Sequence, residues 1–441
     1  SCSNSRISFD KEVISSNELA HFFQSHSHIC FALNLGRLYF EQKLIISSKV
    51  KFFISGFFSI IVYKDILLLS MRFLTANYLY PLYSHPLKEG VLQISEKGEI
   101  ISIIEDRKLV SKNKLEVFEG ILCPGFINAH CHLELSYLQG LIEEKKGMLN
   151  FIEAMQKRYS FGGEDKDIKN AIKIAEKQMI KNGIVAVGDI CNTADTLFQK
   201  AKFNLKYYNF IEIFDVKNEM ANQIICKGKK LRDQFRNFGM KATIVPHSGY
   251  SVPPKLMQKI ENVFDAKDDL LTIHMQETST ENDLFEKKKG SFFTWLKNIN
   301  ASSEIWNKRS KSRDILSELQ HKKILLVHNT FLKHKVSDSN YYCTCPKANI
   351  YIENSLPNYN FFNPDKLCVG TDSLASNNSL SILEELKVIK ENSSFDLNTL
   401  LKIGSKNGAE ALGFSNLGTF EKGKTPGVNL ITGLNKVKVI A

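Results

Sequence analysis

Five of the eleven histidines in this 441-residue sequence stand where an apolar run ends, and their neighbours have the types that hold a divalent cation. The densest stretch is Cys123-Pro-Gly-Phe-Ile-Asn-Ala-His130-Cys-His132-Leu-Glu134-Leu-Ser136. Residues two apart in a strand point to the same side. His130 and His132 can therefore offer two imidazoles to one point just past a strand end. Two neutral imidazoles converging on a point are half of a transition-metal site. Alone, the pair is a weak signal, because polar histidines are ordinary at strand ends.

The same grammar recurs. Thr-Ile-Val-Pro-His247-Ser248-Gly-Tyr250, Leu-Thr-Ile-His274-Met-Gln-Glu277, Leu-Leu-Val-His328-Asn329 and Cys-Val-Gly-Thr-Asp372-Ser373 each end an apolar run with a ligand-type residue. Three histidines and one carboxylate suit Zn²⁺, and also Fe²⁺ or Mn²⁺. A catalytic metal keeps an open position for water and lowers that water's pKa toward neutrality. A proton must then travel from water to a leaving group, and Glu277, three residues past His274, is placed to carry it.

Elements of alternating type must bring these ends together. Strand-length apolar runs fall at 120–129, 184–190, 205–214, 241–246, 270–273, 323–327, 350–353 and 366–369. Helical patterns lie between them, as at 166–181, 254–264 and 380–391. Eight strands alternating with helices predict an α/β fold, a (β/α)8 TIM-like barrel whose strand C-termini share one face. Short strands before residue 122 and after 425 predict a small β-sandwich domain formed from both flanks, residues 71–122 plus 425–441, around a barrel of residues 123–424. Residues 281–322 are a charged, aromatic insertion, either a surface excursion or a lid over the barrel mouth.

Composition narrows the alternatives. A hydrophobic fraction of 43% supports a large core, and 24% charged residues argue against disorder. The net charge of +11 is spread along the chain, with Lys287-Lys-Lys289 the tightest run, which predicts a solvated basic face and no nucleic-acid partner. The greasy stretch 52–63 is too short to span a bilayer, so no membrane association is expected. Nine cysteines without framework spacing predict reduced thiols in a cytoplasmic protein. Residues 1–70 do not resemble the rest. The first methionine is Met71, where the strand pattern begins, so 1–70 is read either as an appended helical element of unknown role or, in preference, as sequence upstream of the true start. Homo-oligomerisation is left open.

With these motifs assembled, residues 71–441 resemble the amidohydrolase superfamily, in particular its mononuclear deaminase and chlorohydrolase branch. The resemblance implies that His130, His132, His274 and Asp372 bind one divalent metal, zinc first, with iron or manganese as alternatives. It implies that Glu277 shuttles protons, that His328 orients the attacking water, and that Asp372 takes part in catalysis as well. His247, Ser248 and Tyr250 fall where relatives contact substrate, and Asn349, in Cys345-Pro-Lys-Ala-Asn349, is assigned the same role. The binuclear branch carries a lysine where this sequence reads Val-Pro-His247, so one metal is expected. The implied reaction releases ammonia from a small aminated heterocycle such as an adenine nucleoside. Deaminases of S-adenosylhomocysteine, methylthioadenosine and aminodeoxyfutalosine are the relatives in view. Guanine deamination, triazine dechlorination and a non-catalytic binding role are the alternatives. Asp189 and Glu212 are expected to be hydrogen-bonding residues at the barrel mouth. Glu134 and Ser136 are read equally as substrate contacts or loop supports.

Overall fold

The computed structural model describes residues 71–157, 165–265, 269–319, 323–336 and 339–441. The segment 1–70 and its expected status lie outside them.

The described chain opens with β1 (Met71–Thr75), β2 (Tyr78–Leu79), β3 (Leu87–Lys88), β4 (Val91–Ser95), β5 (Ile100–Ile104), β6 (Leu115–Val117) and β7 (Ile121–Pro124). The middle carries β8 (Phe126–Cys131), β9 (Ile184–Cys191), β10 (Lys206–Ile213), β11 (Lys241–Pro246), β12 (Leu271–Met275), β13 (Ile324–His328), β14 (Tyr341–Thr344) and β15 (Leu367–Val369). The chain closes with β16 (Val428–Thr432) and β17 (Lys436–Val439).

The flanking strands form two sheets, ordered β5-β4-β1-β6 and β17-β16-β7-β2-β3. The second is built from both ends of the described chain, because β7 pairs with β16. One apolar cluster, including Leu74, Leu92, Ile94, Leu122, Phe420, Val428 and Leu430, draws on both sheets.

The middle strands form two four-stranded parallel sheets, β11-β10-β9-β8 and β12-β13-β14-β15. Two isolated parallel bridges, Cys131 to Asp372 and Ser248 to His274, link strand ends of one sheet to the other. The expected eight parallel strands are thus present, arranged as two sheets that touch at these bridges rather than as one continuously paired barrel.

Alternation decides which way each strand residue packs. Ile127, Ala129, Tyr208, Phe210, Leu325 and Val327 belong to one apolar cluster. Phe126, Val187, Tyr207, Ile211, Ile324 and Leu326 belong to another, with the helix residues Ile172, Met179, Phe235, Ile260, Leu386 and Ile389. Every residue of β8, β12 and β13 is buried, as expected of parallel strands covered on both faces. The helix Asp165–Lys181 shows how a crossover is specified. Ile172, Ala175 and Met179 make its buried stripe, with Asp165 and Asp167 in its first turn and Lys181 in its last.

Two boundaries differ from the sequence reading. The apolar run 350–353 is the last turn of the helix Pro346–Glu353, and the seventh strand is Tyr341–Thr344. Pro346 explains the shift, since its fixed φ and missing N–H suit the first turn of a helix. The run 120–129 is split at Gly125 into β7 and β8, which serve different sheets. A Cβ at Gly125 would meet Val185 Cγ1 at 2.4 Å and the Pro426 carbonyl oxygen at 2.7 Å. Only glycine lets the chain cross there.

Candidate metal centre

The strand ends carry the predicted ligands into one place. His130 and His132 stand at the end of β8, and Asp372 lies three residues past β15. Asn128, two residues before His130, clamps the two strands together. Its Nδ2 donates to Thr371 Oγ1 at 2.7 Å, and its Oδ1 accepts from the Thr371 N–H at 3.0 Å. The Asp372 N–H reaches the His130 carbonyl oxygen at 3.1 Å. Gly370 permits this approach, because a Cβ there would lie 2.6 Å from that oxygen and 2.7 Å from the His130 nitrogen.

The ring nitrogens converge. His130 Nε2 and His132 Nε2 are 3.2 Å apart. Asp372 Oδ1 is 3.5 Å from the first and 3.3 Å from the second. Ligand atoms of His130, His274 and His328 also lie within 4.8 Å of one another, as do those of Glu277, His328 and Asp372. Ser376 Oγ donates to Asp372 Oδ2 at 2.6 Å, leaving Oδ1 toward the histidines. His328 Nδ1 meets Asn349 Oδ1 at 2.8 Å, so the carboxamide oxygen fixes the proton on Nδ1 and leaves Nε2 bare. That Nε2 is buried without a hydrogen bond among the described residues and faces Glu277 Oε1 at 3.4 Å. A cluster of buried imidazole lone pairs beside carboxylates, one of them orphaned, fits a divalent cation.

Electrostatics agree with ligand chemistry. Burial pushes His130 well below the ordinary imidazole value, and His247 and His328 down to about 4, which keeps these rings neutral. Burial also disfavours a charged Asp372. The His130 hydrogen bond and the neighbouring histidines outweigh it and hold that carboxyl well below its usual range. His274 behaves differently. Burial lowers it, but Glu212, Glu277 and Asp372 together raise it to about 9. Glu277 is pushed up to about 8, by burial first and then by Asp372 and Glu281, against the opposing pull of His274.

The backbone at these ends is unusual. His328, Asn329, Asp372 and Gln276 have φ of 67°, 52°, 56° and 48°. Each non-glycine residue in this region costs about 1–3 kcal/mol, so the surrounding packing must hold these turns in place.

A cavity of about 500 Å³ opens onto the cluster. His132, His274, Glu277 and Asp372 reach it from the strand ends. Met148, Phe151, Ile152 and Met155, from the helix Met148–Gln156, add an apolar wall. Trp295, from the helix Ser291–Asn298, and Ile299, which caps that helix, extend it. Part of the 281–322 insertion therefore forms cavity wall. Its Phe292, Leu296, Ile305 and Trp306 are buried in a cluster with Met148 and Tyr250.

The remaining predicted residues fall into two groups. His247 and Tyr250 line the cavity. Ser248 and Asn349 are buried but are not among its lining residues. Ser248 Oγ contacts His247 Nδ1 at 3.0 Å, and Asn349 contacts His328 as described. Glu134 is a loop support, accepting from the Asn192 N–H at 3.1 Å and from the Thr193 N–H and Oγ1 at 2.9 Å. Ser136 Oγ donates to the Leu133 carbonyl at 2.7 Å. Asp189 accepts from the Leu133 N–H at 2.8 Å and pairs with the buried Lys200.

Several lining residues were not singled out from sequence as cavity residues. Asn192, Asp215, Ser251 and Met148 line the cavity from loops or a helix with no strand-end signature. Ser251 had a faint signal, lying four residues past His247 in a Ser-Gly-Tyr-Ser run. Its Oγ contacts His247 Nδ1 at 2.8 Å.

Comparison with known proteins agrees with this geometry. A 5'-deoxyadenosine deaminase of Methanosphaera stadtmanae is 24% identical over 365 residues, 77% of this chain and 79% of that protein. The crystal structure of Helicobacter pylori aminofutalosine deaminase in complex with methylthio-coformycin superposes with a TM-score of 0.69 at 21% identity, covering 83% of this chain and 93% of that one. A zinc-bound adenosine deaminase of Xanthomonas campestris gives 0.63 at 17% identity, covering 81% and 84%. Residues 121–440 match the Amidohydrolase family over their whole extent. The chain belongs to the amidohydrolase family.

Proposed function

We propose that this protein is a one-metal aminohydrolase that deaminates an adenine nucleoside and releases ammonia. The observation that carries the reading is the convergence of His130, His132, His274 and Asp372 beside Glu277 and His328, where one cavity opens onto them. We read the two parallel sheets as halves of one (β/α)8 barrel spanning 123–424. The two flanking sheets are read as a small sandwich of 71–122 with 425–441. The four ligands suit zinc, and a zinc-bound relative of the same fold supports that choice. The described cysteines are free thiols, which suits the cytoplasm.

When bound, the cation lowers the pKa of water and stabilises charge developing on the attacking oxygen. The chain's own residues do the rest. His328, its Nδ1 anchored on Asn349, presents a bare Nε2 that accepts a hydrogen bond from the attacking water. Glu277 takes a proton from that water and delivers it to the ring nitrogen beside the amino-bearing carbon. As that proton arrives, the water oxygen bonds to the carbon; Glu277 then takes the second proton, from the new hydroxyl, and passes it to the amine, so that the carbon–nitrogen bond breaks as the carbonyl forms and ammonia leaves. Asp372, anchored by Ser376, keeps its charge toward the histidines throughout. His247 and Tyr250 supply polar contacts on the cavity wall.

The apolar wall favours a nucleoside whose sugar carries an apolar 5' end. The relatives named for 5'-deoxyadenosine and aminodeoxyfutalosine support that class. The test is elemental analysis of the purified protein, followed by an ammonia-release screen. Adenosine, 5'-deoxyadenosine, methylthioadenosine, guanine and a chlorotriazine make a sufficient panel. A metal-loaded protein that released no ammonia from any adenine nucleoside would end the reading.

A further inference from the structure

Glu212 closes β10 with its carboxyl group buried, and neither the metal cluster nor the cavity wall accounts for it. Its Oε1 lies 3.3 Å from His274 Nδ1, an ion-pair distance, and makes no hydrogen bond among the described residues. Its Oε2 receives a contact from Asn192 Nδ2 at 3.3 Å. The same His274 Nδ1 is 3.1 Å from the His247 carbonyl oxygen. A backbone carbonyl can only accept a hydrogen bond, so Nδ1 carries the hydrogen. In the neutral ring the lone pair of His274 is therefore on Nε2, the nitrogen a cation needs.

We propose that Glu212 is a positioning residue that, together with the His247 carbonyl, holds His274 in orientation as a metal ligand. The proposal rests on the cation site of the preceding section and adds what holds that ligand in place. A buried carboxylate is costly unless something compensates it, and the imidazole N–H is the partner at hand. Such outer contacts raise the basicity of a ligating imidazole and remove its freedom to rotate. Their loss typically weakens metal binding 10–100-fold.

A rival reading uses the same atoms. Glu212, His247 and His274 also offer ligand atoms within 4.8 Å of one another. A second cation there would need His274 Nδ1 bare, whereas the contact with the His247 carbonyl requires it protonated. The positioning role is therefore favoured, and stoichiometry separates the two readings.

The experiment is zinc titration by chelator competition on the full chain, comparing wild type, Glu212→Ala and Glu212→Gln, with zinc per chain measured alongside. The expected result is one zinc per chain in all three. Affinity should fall 10–100-fold in Glu212→Ala. Glu212→Gln keeps an acceptor for the N–H and should recover most of the loss. At saturating zinc the KM for substrate should be unchanged, which a collapsed cavity would not allow. Undiminished zinc affinity in a folded Glu212→Ala, or two zinc ions per wild-type chain, would overturn the proposal while leaving the cation site standing. A wild-type chain that binds no zinc would sink both.

Discussion

His328 Nε2, buried and without a hydrogen bond among the described residues, faces Glu277 Oε1 across 3.4 Å. Glu277, His328 and Asp372 offer ligand atoms within 4.8 Å of one another. If Glu277 moves the proton, removing its charge while keeping its shape should stop the reaction and spare the site. Glu277→Gln is expected to lower the rate of ammonia release by about 10²–10⁴-fold, with one metal per chain retained. Full activity in that variant would remove Glu277 from the mechanism.

The metal-free protein should lose stability as pH rises above neutrality. Glu277 holds its proton more tightly when folded, with its value raised from 4.5 to about 8 by burial. Folding is then favoured at low pH, and that advantage is lost as pH climbs through this window. His274, raised from 6.5 to about 9, acts with the same sign, its contribution disappearing as pH rises through about 9. His130, His247 and His328 are shifted down, so they oppose folding only at lower pH and are neutral in both states above pH 7. Thermal melts in chelator should therefore fall between pH 7 and 9, and less steeply for Glu277→Gln. Parallel curves for the two proteins would contradict the assignment.

Lys200 and Asp189 are a fully buried ion pair, and Lys200 Nζ also donates to Asn209 Oδ1 at 2.8 Å. Burial alone would lower the lysine's proton affinity, but Asp189 outweighs it and raises it. Removing one partner leaves a bare charge in the core, which typically costs about 3–5 kcal/mol. Lys200→Met should show that loss in urea denaturation. Adding Asp189→Asn should restore much of it. A double variant no better than the single would show that packing, not charge, is at stake.

Gly370→Ala tests the close approach of two strands. The new methyl group would lie 2.6 Å from the His130 carbonyl oxygen, 2.7 Å from its nitrogen and 2.8 Å from its Cβ, so the backbone there must shift. Overpacking of this kind costs about 1–3 kcal/mol, and the displaced atoms belong to a ligand. Zinc affinity is expected to fall at least as sharply as thermal stability. A variant with normal zinc affinity would mean that the ligand geometry tolerates a wider gap.

The legible part of the site was written in spacing. His130 and His132 are two apart at the end of an apolar run, and His274 and Glu277 are three apart at another. Such intervals have a direct meaning once the backbone is a strand entering a loop. The parallel strands were legible for a related reason, because burial on both faces makes them nearly continuous apolar runs. The seventh strand was hidden by its neighbour. Tyr341–Thr344 is short and mixed in character, whereas 350–353 looks extended until Pro346 is taken as a helix start. Glu212 was seen only as a strand-end acid. Its partner His274 is 62 positions away, so no local pattern could pair them. The Met148–Gln156 part of the apolar cavity wall was hidden likewise, since Met148 and Phe151 belong to an amphipathic helix whose sequence says only that one face is greasy, whereas Trp295 lies in the aromatic insertion 281–322. How the two parallel sheets meet is not a property of any one strand; among the described residues, the bridges from Cys131 to Asp372 and from Ser248 to His274 link their ends.

The reacting groups and the cavity wall are supplied by different parts of the chain. The proposed ligands and proton carrier stand at strand ends between 130 and 372, while the apolar side of the cavity comes mainly from 148–156 and 295–299. Evolution can therefore edit the menu without touching the stove. Exchange of those two short helical stretches for a relative's should transplant a preference among nucleosides into this chain, and its turnover chemistry should come through intact.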